Sequence, residues 1–98
     1  MIMRVRRQKV AKAFGRVLRE LRHAKGLSQE QLADLGDFDR TYPSLLERGL
    51  RTPTLTVVFK LADVLGVAAS VLVGQALDET KKPGSTRRPD KDPGPPPQ

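Results

Sequence analysis

Arg40, Thr41, Ser44 and Leu45 gather a guanidinium, two hydroxyls and a branched apolar side chain into one short stretch. A guanidinium can grip guanine O6 and N7 as a fork or take a phosphate oxygen, a hydroxyl is permissive, and a leucine can touch a thymine methyl. These residues follow Asp39, a helix-capping residue type, and precede Leu46. On a helix opened by Asp39, Pro43 and Leu46 lie three apart and face inward, which turns Arg40, Thr41 and Ser44 outward; Leu45 either joins them or packs. A first exposed turn of this composition suits the major groove and its flanking phosphates. Arg48 and Arg51 flank the loop that follows and suit phosphate clamping, although either alone would be ordinary surface charge.

Two short helices joined by a tight turn must position these groups. Ser28 is placed to cap the first, with Gln31 three residues on to return a bond to the Ser28 amide. Leu27 and Leu32 suit a hydrophobic staple across the same helix start. Gly36 and Asp37 stop the helix, because glycine carries no Cβ and aspartate tolerates left-handed backbone.

The stretch resembles the Cro and phage-repressor (Xre-type) helix-turn-helix family, which includes the small controller proteins of restriction-modification systems. The resemblance runs from about Phe14 to Leu72. It rests on Leu18-Arg19-Glu20-Leu21-Arg22, Gly26-Leu27-Ser28-Gln29-Glu30-Gln31-Leu32-Ala33, Asp39-Arg40-Thr41-Tyr42, Leu46-Glu47-Arg48-Gly49, Pro53-Thr54-Leu55 and Leu61-Ala62-Asp63-Val64-Leu65-Gly66-Val67. Two positions depart from the pattern: Asp37 stands where the turn glycine is usual, with Gly36 one place early, and Pro43 replaces a branched apolar residue, leaving the start of the second motif helix open.

The resemblance implies a compact all-α, five-helix repressor-like domain that binds DNA. Gln29 matches the family's phosphate-contacting glutamine, though an isolated glutamine would be plain surface. With the side chains read above, DNA contact is assigned to Ser28, Gln29, Asp39, Arg40, Thr41, Ser44, Leu45, Arg48 and Arg51. Arg22 and Glu47 match positions that pair between the first and third helices, a contact whose value is geometric more than energetic.

The net charge of +7 is uneven: residues 1–27 carry +8, residues 28–77 carry −2 and residues 78–98 carry +1. Lys12, Arg16, Arg19 and Arg22 recur at helical spacing opposite Val10, Phe14, Val17, Leu18 and Leu21, giving a first helix with one cationic and one apolar face. Such a surface favours polyanions, the DNA backbone foremost; the plainer reading of the earliest basic residues is a solvated start. Without cysteine there is no disulfide, thiolate nucleophile or cysteine-based zinc site, and His23 has no second histidine to share a metal. No glycine-rich phosphate loop or nucleophile–base set is present, so neither an enzyme nor a cofactor is expected. No stretch approaches the roughly 18 apolar residues of a membrane span and the basic start lacks a signal-peptide core, so a cytoplasmic protein is expected.

Thr54 caps a fourth helix through Leu65, with Leu55, Val58, Phe59, Ala62 and Leu65 mostly in the core, and Gly66 ends it. A last helix runs from about Ala69 to Leu77. From Asp78 the chain turns polar and proline-rich, a composition expected to stay disordered. The expected layout is a basic arm over 1–9, a DNA-binding domain over 10–77 and a tail over 78–98. Phe59, Val67, Val71 and Leu72 are assigned to a homodimer seam, since one short recognition helix reads few base pairs and a two-fold partner adds specificity and stability. The expected function is a transcriptional regulator binding an inverted-repeat operator in double-stranded DNA. The alternative is an antitoxin-like interaction module that holds a protein partner through the tail and controls its own promoter.

Overall fold

Five apolar stripes of helical period become five helices. The computed structural model describes residues 6–82. In chain order they are α1 (Arg7–Ala24), α2 (Gln29–Gly36), α3 (Tyr42–Glu47), α4 (Leu55–Leu65) and α5 (Ala69–Lys81), with no strand among the described residues. α1 lies against α5 and α3, and α2 against α3 and α4. The centre is leucine: Leu18, Leu32, Leu46, Leu61, Leu65 and Leu72 are fully buried, one or more from every helix. No single described helix is long and apolar enough to cross a membrane.

Local chemistry sets most of the boundaries. The Ser28 hydroxyl accepts the Gln31 amide at 3.0 Å and the Gln31 side chain accepts the Ser28 amide at 2.8 Å, the reciprocal cap of α2. Thr54 starts α4 by accepting the Val57 amide at 3.2 Å. α2 ends at Asp37, whose backbone is left-handed with φ of 58°. Gly36 is the last residue of the helix, and the Phe38 ring occupies the space a Cβ there would need. Two requirements that one glycine usually meets are thus divided: Gly36 makes room, and Asp37 takes a backbone conformation that aspartate tolerates.

α3 starts later than the cap at Asp39 predicts. Pro43 has no N–H to give the Asp39 carbonyl, and that carbonyl instead accepts from Tyr42 at 3.0 Å in a tighter turn. Arg40 and Thr41 therefore sit in the turn before the helix, not in its first turn.

Two helix ends lie beyond the expected segment boundaries. α1 begins at Arg7, inside the expected arm, and α5 continues to Lys81, past the expected end at Leu77. The extra turn of α5 packs because Glu79 is buried and meets Arg16 of α1 at 3.7 Å and Lys82 at 3.2 Å. Residues 1–5 and 83–98, and with them the rest of the expected arm and tail and any partner contact through that tail, lie outside the described residues.

Leu72, assigned to the dimer seam, is 0% exposed and belongs to the protomer's own core. Helical period explains the exchange: neighbouring residues of α5 point in different directions, so Leu72 turns inward while Val71 stays exposed. In α4 the inward positions are Val58, Leu61, Ala62 and Leu65, while Leu55 and Phe59, one turn apart, are exposed.

α1 and α3 meet at Gly15. A Cβ there would fall on the carbonyl oxygens of Leu46 and Glu47. Nothing lies within 4 Å of a Cβ built on Gly74, in the middle of α5. The same substitution therefore has opposite outcomes. Gly15→Ala lowers unfolding stability by about 1–3 kcal/mol through overpacking against rigid backbone. Gly74→Ala raises it by up to roughly 1 kcal/mol through helix propensity. Urea unfolding of both variants checks this, and a stabilising Gly15→Ala would show that α3 does not approach α1 closely.

Candidate nucleic-acid interface

α2 and α3, with the turn between them, form an open depression lined by Gln29, Glu30, Arg40, Thr41, Ser44, Leu45 and Arg48. Six of these seven are sequence-assigned contact residues. Each reaches the depression for a local reason. Gln29 and Glu30 open α2 directly after the Ser28 cap. Ser44, Leu45 and Arg48 lie on the side of α3 opposite the buried Pro43 and Leu46. Arg40 and Thr41 are carried by the turn that Pro43 creates.

Asp39 organises that turn. One of its carboxylate oxygens accepts both the Thr41 hydroxyl, at 2.6 Å, and the Thr41 amide, at 3.2 Å. These bonds, the hydroxyl's first, hold the Asp39 carboxyl below its ordinary range. A carboxyl lowered in the folded state supports the fold above its unfolded pKa and ceases to do so as pH falls through the folded one, so the turn is intact throughout the neutral range. With its hydrogen given to Asp39, the hydroxyl of Thr41, a lining residue, keeps only its acceptor capacity.

Three assigned contact residues do not line the depression. Ser28 is occupied as a cap through its oxygen, Asp39 turns its carboxylate to Thr41, and Arg51 is exposed in the segment leading to α4. One lining residue was not read from the sequence. Glu30 forms an exposed ion pair with Arg40. A carboxylate in the first turn of a helix suits the helix dipole, and that ordinary role masks its reach toward a cation ten residues on.

Beneath the depression lies a buried pair. Arg22 Nε donates to Glu47 Oε2 at 2.6 Å and Nη2 to Oε1 at 3.0 Å, with side-chain exposures of 8% and 3%. Arg22 Nη1 donates to the Leu27 carbonyl at 2.7 Å, and Nη2 lies 3.2 Å from His23 Nε2. The Gln29 amide donates to Glu47 Oε1 at 3.0 Å. Arg22 thus leaves the cationic face predicted for α1, where Lys12 and Arg19 stay exposed. Gln29 is tied by its side-chain amide to the last residue of α3.

Four comparisons bear on this arrangement. A family model described as a helix-turn-helix domain matches residues 13–72. An uncharacterised HTH-type transcriptional regulator, y4dJ of Sinorhizobium fredii, is 42% identical over 69 residues, spanning 70% of this chain and 88% of the relative. The crystal structure of the restriction-modification controller protein C.AhdI from Aeromonas hydrophila superposes with a TM-score of 0.62 at 48% identity, covering 63% of this chain and 94% of that one. The controller protein C.Esp1396I, solved as a tetramer in complex with its natural 35 base-pair operator, gives a TM-score of 0.67 at 30% identity, covering 74% and 96%.

Truncating one partner of a buried, hydrogen-bonded ion pair leaves the other charged and unsatisfied. Glu47→Ala is therefore expected to lower unfolding stability by about 3–5 kcal/mol, measured by urea denaturation. Loss of less than about 1 kcal/mol would place the pair in solvent rather than in the interior.

Proposed function

The chain belongs to the helix-turn-helix family of DNA-binding transcriptional regulators, and we propose that it reads an inverted-repeat operator in double-stranded DNA as a homodimer. The observation that carries this reading is the convergence of Gln29, Arg40, Thr41, Ser44, Leu45 and Arg48 on one open depression beside the outer turns of α2 and α3. Arg40 reads a base edge from the turn before α3, Thr41 and Ser44 offer hydroxyls, and Leu45 offers a methyl contact. Gln29 with the α2 amides, Arg48 and Arg51 hold the phosphates. The family is one of DNA-binding regulators rather than enzymes, and the protein acts where the DNA is, in the cytoplasm.

Dimerisation draws support from α4 and α5. Phe59 is 56% exposed, and Leu55, Val71 and Leu77 are exposed as well. Large apolar side chains gathered on two neighbouring helices favour burial against a second copy. The seam is assigned to Phe59 and Val71 with the half-buried Val67; Leu72 supports them from within. The operator complex of C.Esp1396I, a tetramer, supports oligomeric binding by an analogous chain.

The interface chemistry makes its strength depend on ions. If each protomer neutralises several phosphates, affinity falls by orders of magnitude between about 50 and 200 mM salt. Arg40→Ala lowers affinity for the preferred duplex by about 1–3 kcal/mol and relaxes one base position, whereas Arg51→Ala weakens all sequences alike. Fluorescence anisotropy on selected and randomised duplexes measures both; equal losses on the two duplexes for Arg40→Ala would move it to the phosphate backbone.

The oligomeric state is read separately, by light scattering at micromolar concentration. The wild type is expected to be a dimer that Val71→Glu converts to monomer, and its footprint should contain two half-sites whose centres lie about 34–36 Å apart. A wild-type monomer protecting a single asymmetric half-site would overturn the dimer.

A further inference from the structure

One acidic side chain lies in the depression proposed to receive a polyanion. Glu30 is exposed, lines the same surface as Arg40 and Arg48, and is ion-paired with Arg40. A solvent-exposed pair contributes little to folding, so stability does not account for it. Helix-dipole complementarity accounts for an acid in the first turn of α2 but not for its engagement of a cation across the depression. Electrostatics alone would favour this surface without Glu30, because the carboxylate repels the phosphates that Arg48 and Gln29 are placed to attract. Its effect must therefore be sought in discrimination rather than in affinity.

Arg40 needs such a partner. It stands in the turn before α3, where no helical neighbour fixes its direction, and its side chain is 74% exposed. An arginine free in that position can swing to whichever phosphate is nearest, which binds every sequence alike. We propose that Glu30 is a specificity-determining positioning residue: it holds the Arg40 guanidinium over the groove, away from the phosphate backbone, so that the fork meets base edges. The pair uses one N–H of the Arg40 Nη2, leaving the remaining donors of the fork for guanine O6 and N7. The ordering of a long side chain is met in the free protein rather than on binding. On a wrong sequence, where no base acceptor replaces it, the carboxylate keeps Arg40 from the phosphates and adds its own repulsion. Glu30 thereby lowers non-specific binding and sharpens the preference at one base pair.

The inference rests on the reading of Arg40 as a base-contacting residue, and the test separates the two. Full-length wild type, Glu30→Gln, Arg40→Ala and the double variant are each used to select from a randomised duplex library. Affinities are then measured on the duplex the wild type prefers and on the unselected library, with circular dichroism to check that the exposed substitutions leave the fold intact. Glu30→Gln is expected to raise affinity for the unselected library and to reduce the preference at the Arg40-dependent base pair by about tenfold. In the Arg40→Ala background the same substitution leaves the base-preference profile unchanged. If Arg40→Ala flattens one position and Glu30→Gln does not, the positioning role is overturned while the base contact stands. If Arg40→Ala changes no position, the base-contact reading fails and the inference fails with it. A Glu30→Gln variant that gains equally on preferred and unselected DNA would reduce Glu30 to a simple charge on the surface.

Discussion

The buried contact of Arg22 with Glu47 is the constraint around which α1, α2 and α3 are arranged. Arg22 uses all three guanidinium nitrogens: two on Glu47, one of these also beside His23, and the third on the Leu27 carbonyl. Glu47 takes the Gln29 amide as well. A single cluster thereby joins the end of α1, the turn into α2, the first residue of α2 and the last residue of α3. Burial makes the arrangement exacting, since a charged group removed from water must find all its partners or destabilise the fold. The net contribution of such a pair to stability is small. What it fixes is the direction in which α3 presents its outer face.

Shape completes what charge begins. Gly15 lets the backbone of α1 lie directly against the carbonyls at the end of α3, so α3 is seated by steric contact beside the residue that carries the buried carboxylate. At the other end of α3, Pro43 withholds a donor and Asp39 supplies an acceptor, which turns what would have been a helical turn into a tight bend held by Thr41. The residues expected to read bases therefore straddle two kinds of backbone. Ser44 and Leu45 are rigidly placed by α3, whereas Arg40 depends on its side-chain partner Glu30 for direction.

The remaining half of the protein follows from its size. A domain of this length has room for one layer of leucines at the centre, and α4 and α5 spend inward positions on Leu61, Leu65 and Leu72 while leaving Leu55, Phe59, Val71 and Leu77 outside. An apolar surface on residues of α4 and α5 that do not line the depression is compatible with a two-fold assembly that leaves the depression open.

The sequence alone determined what depends on near neighbours along the chain. The Ser28–Gln31 cap, the Thr54 cap, the stops at Asp37 and Gly66 and the helical periods of all five elements involve residues a few positions apart, and each follows from backbone donors, acceptors and Cβ sterics. The outward placement of Ser44 was legible for the same reason, whereas Thr41 is exposed from the turn before α3 and not from the helix, and the Arg22–Glu47 contact was legible only through family resemblance. Tertiary structure decided the rest. Leu72 rather than Val71 turned inward because the direction of the neighbouring helix, not hydrophobicity, selects the buried side of a helix apolar on two faces. Glu79 extended α5 because Arg16 stands opposite it, and Gly15 proved necessary because the carbonyls of Leu46 and Glu47, distant in sequence, occupy the space of its missing Cβ. Glu30 met Arg40 because a turn folded α2 back on α3. Contacts of this kind depend on how whole elements are placed against one another, which no local pattern of residues encodes.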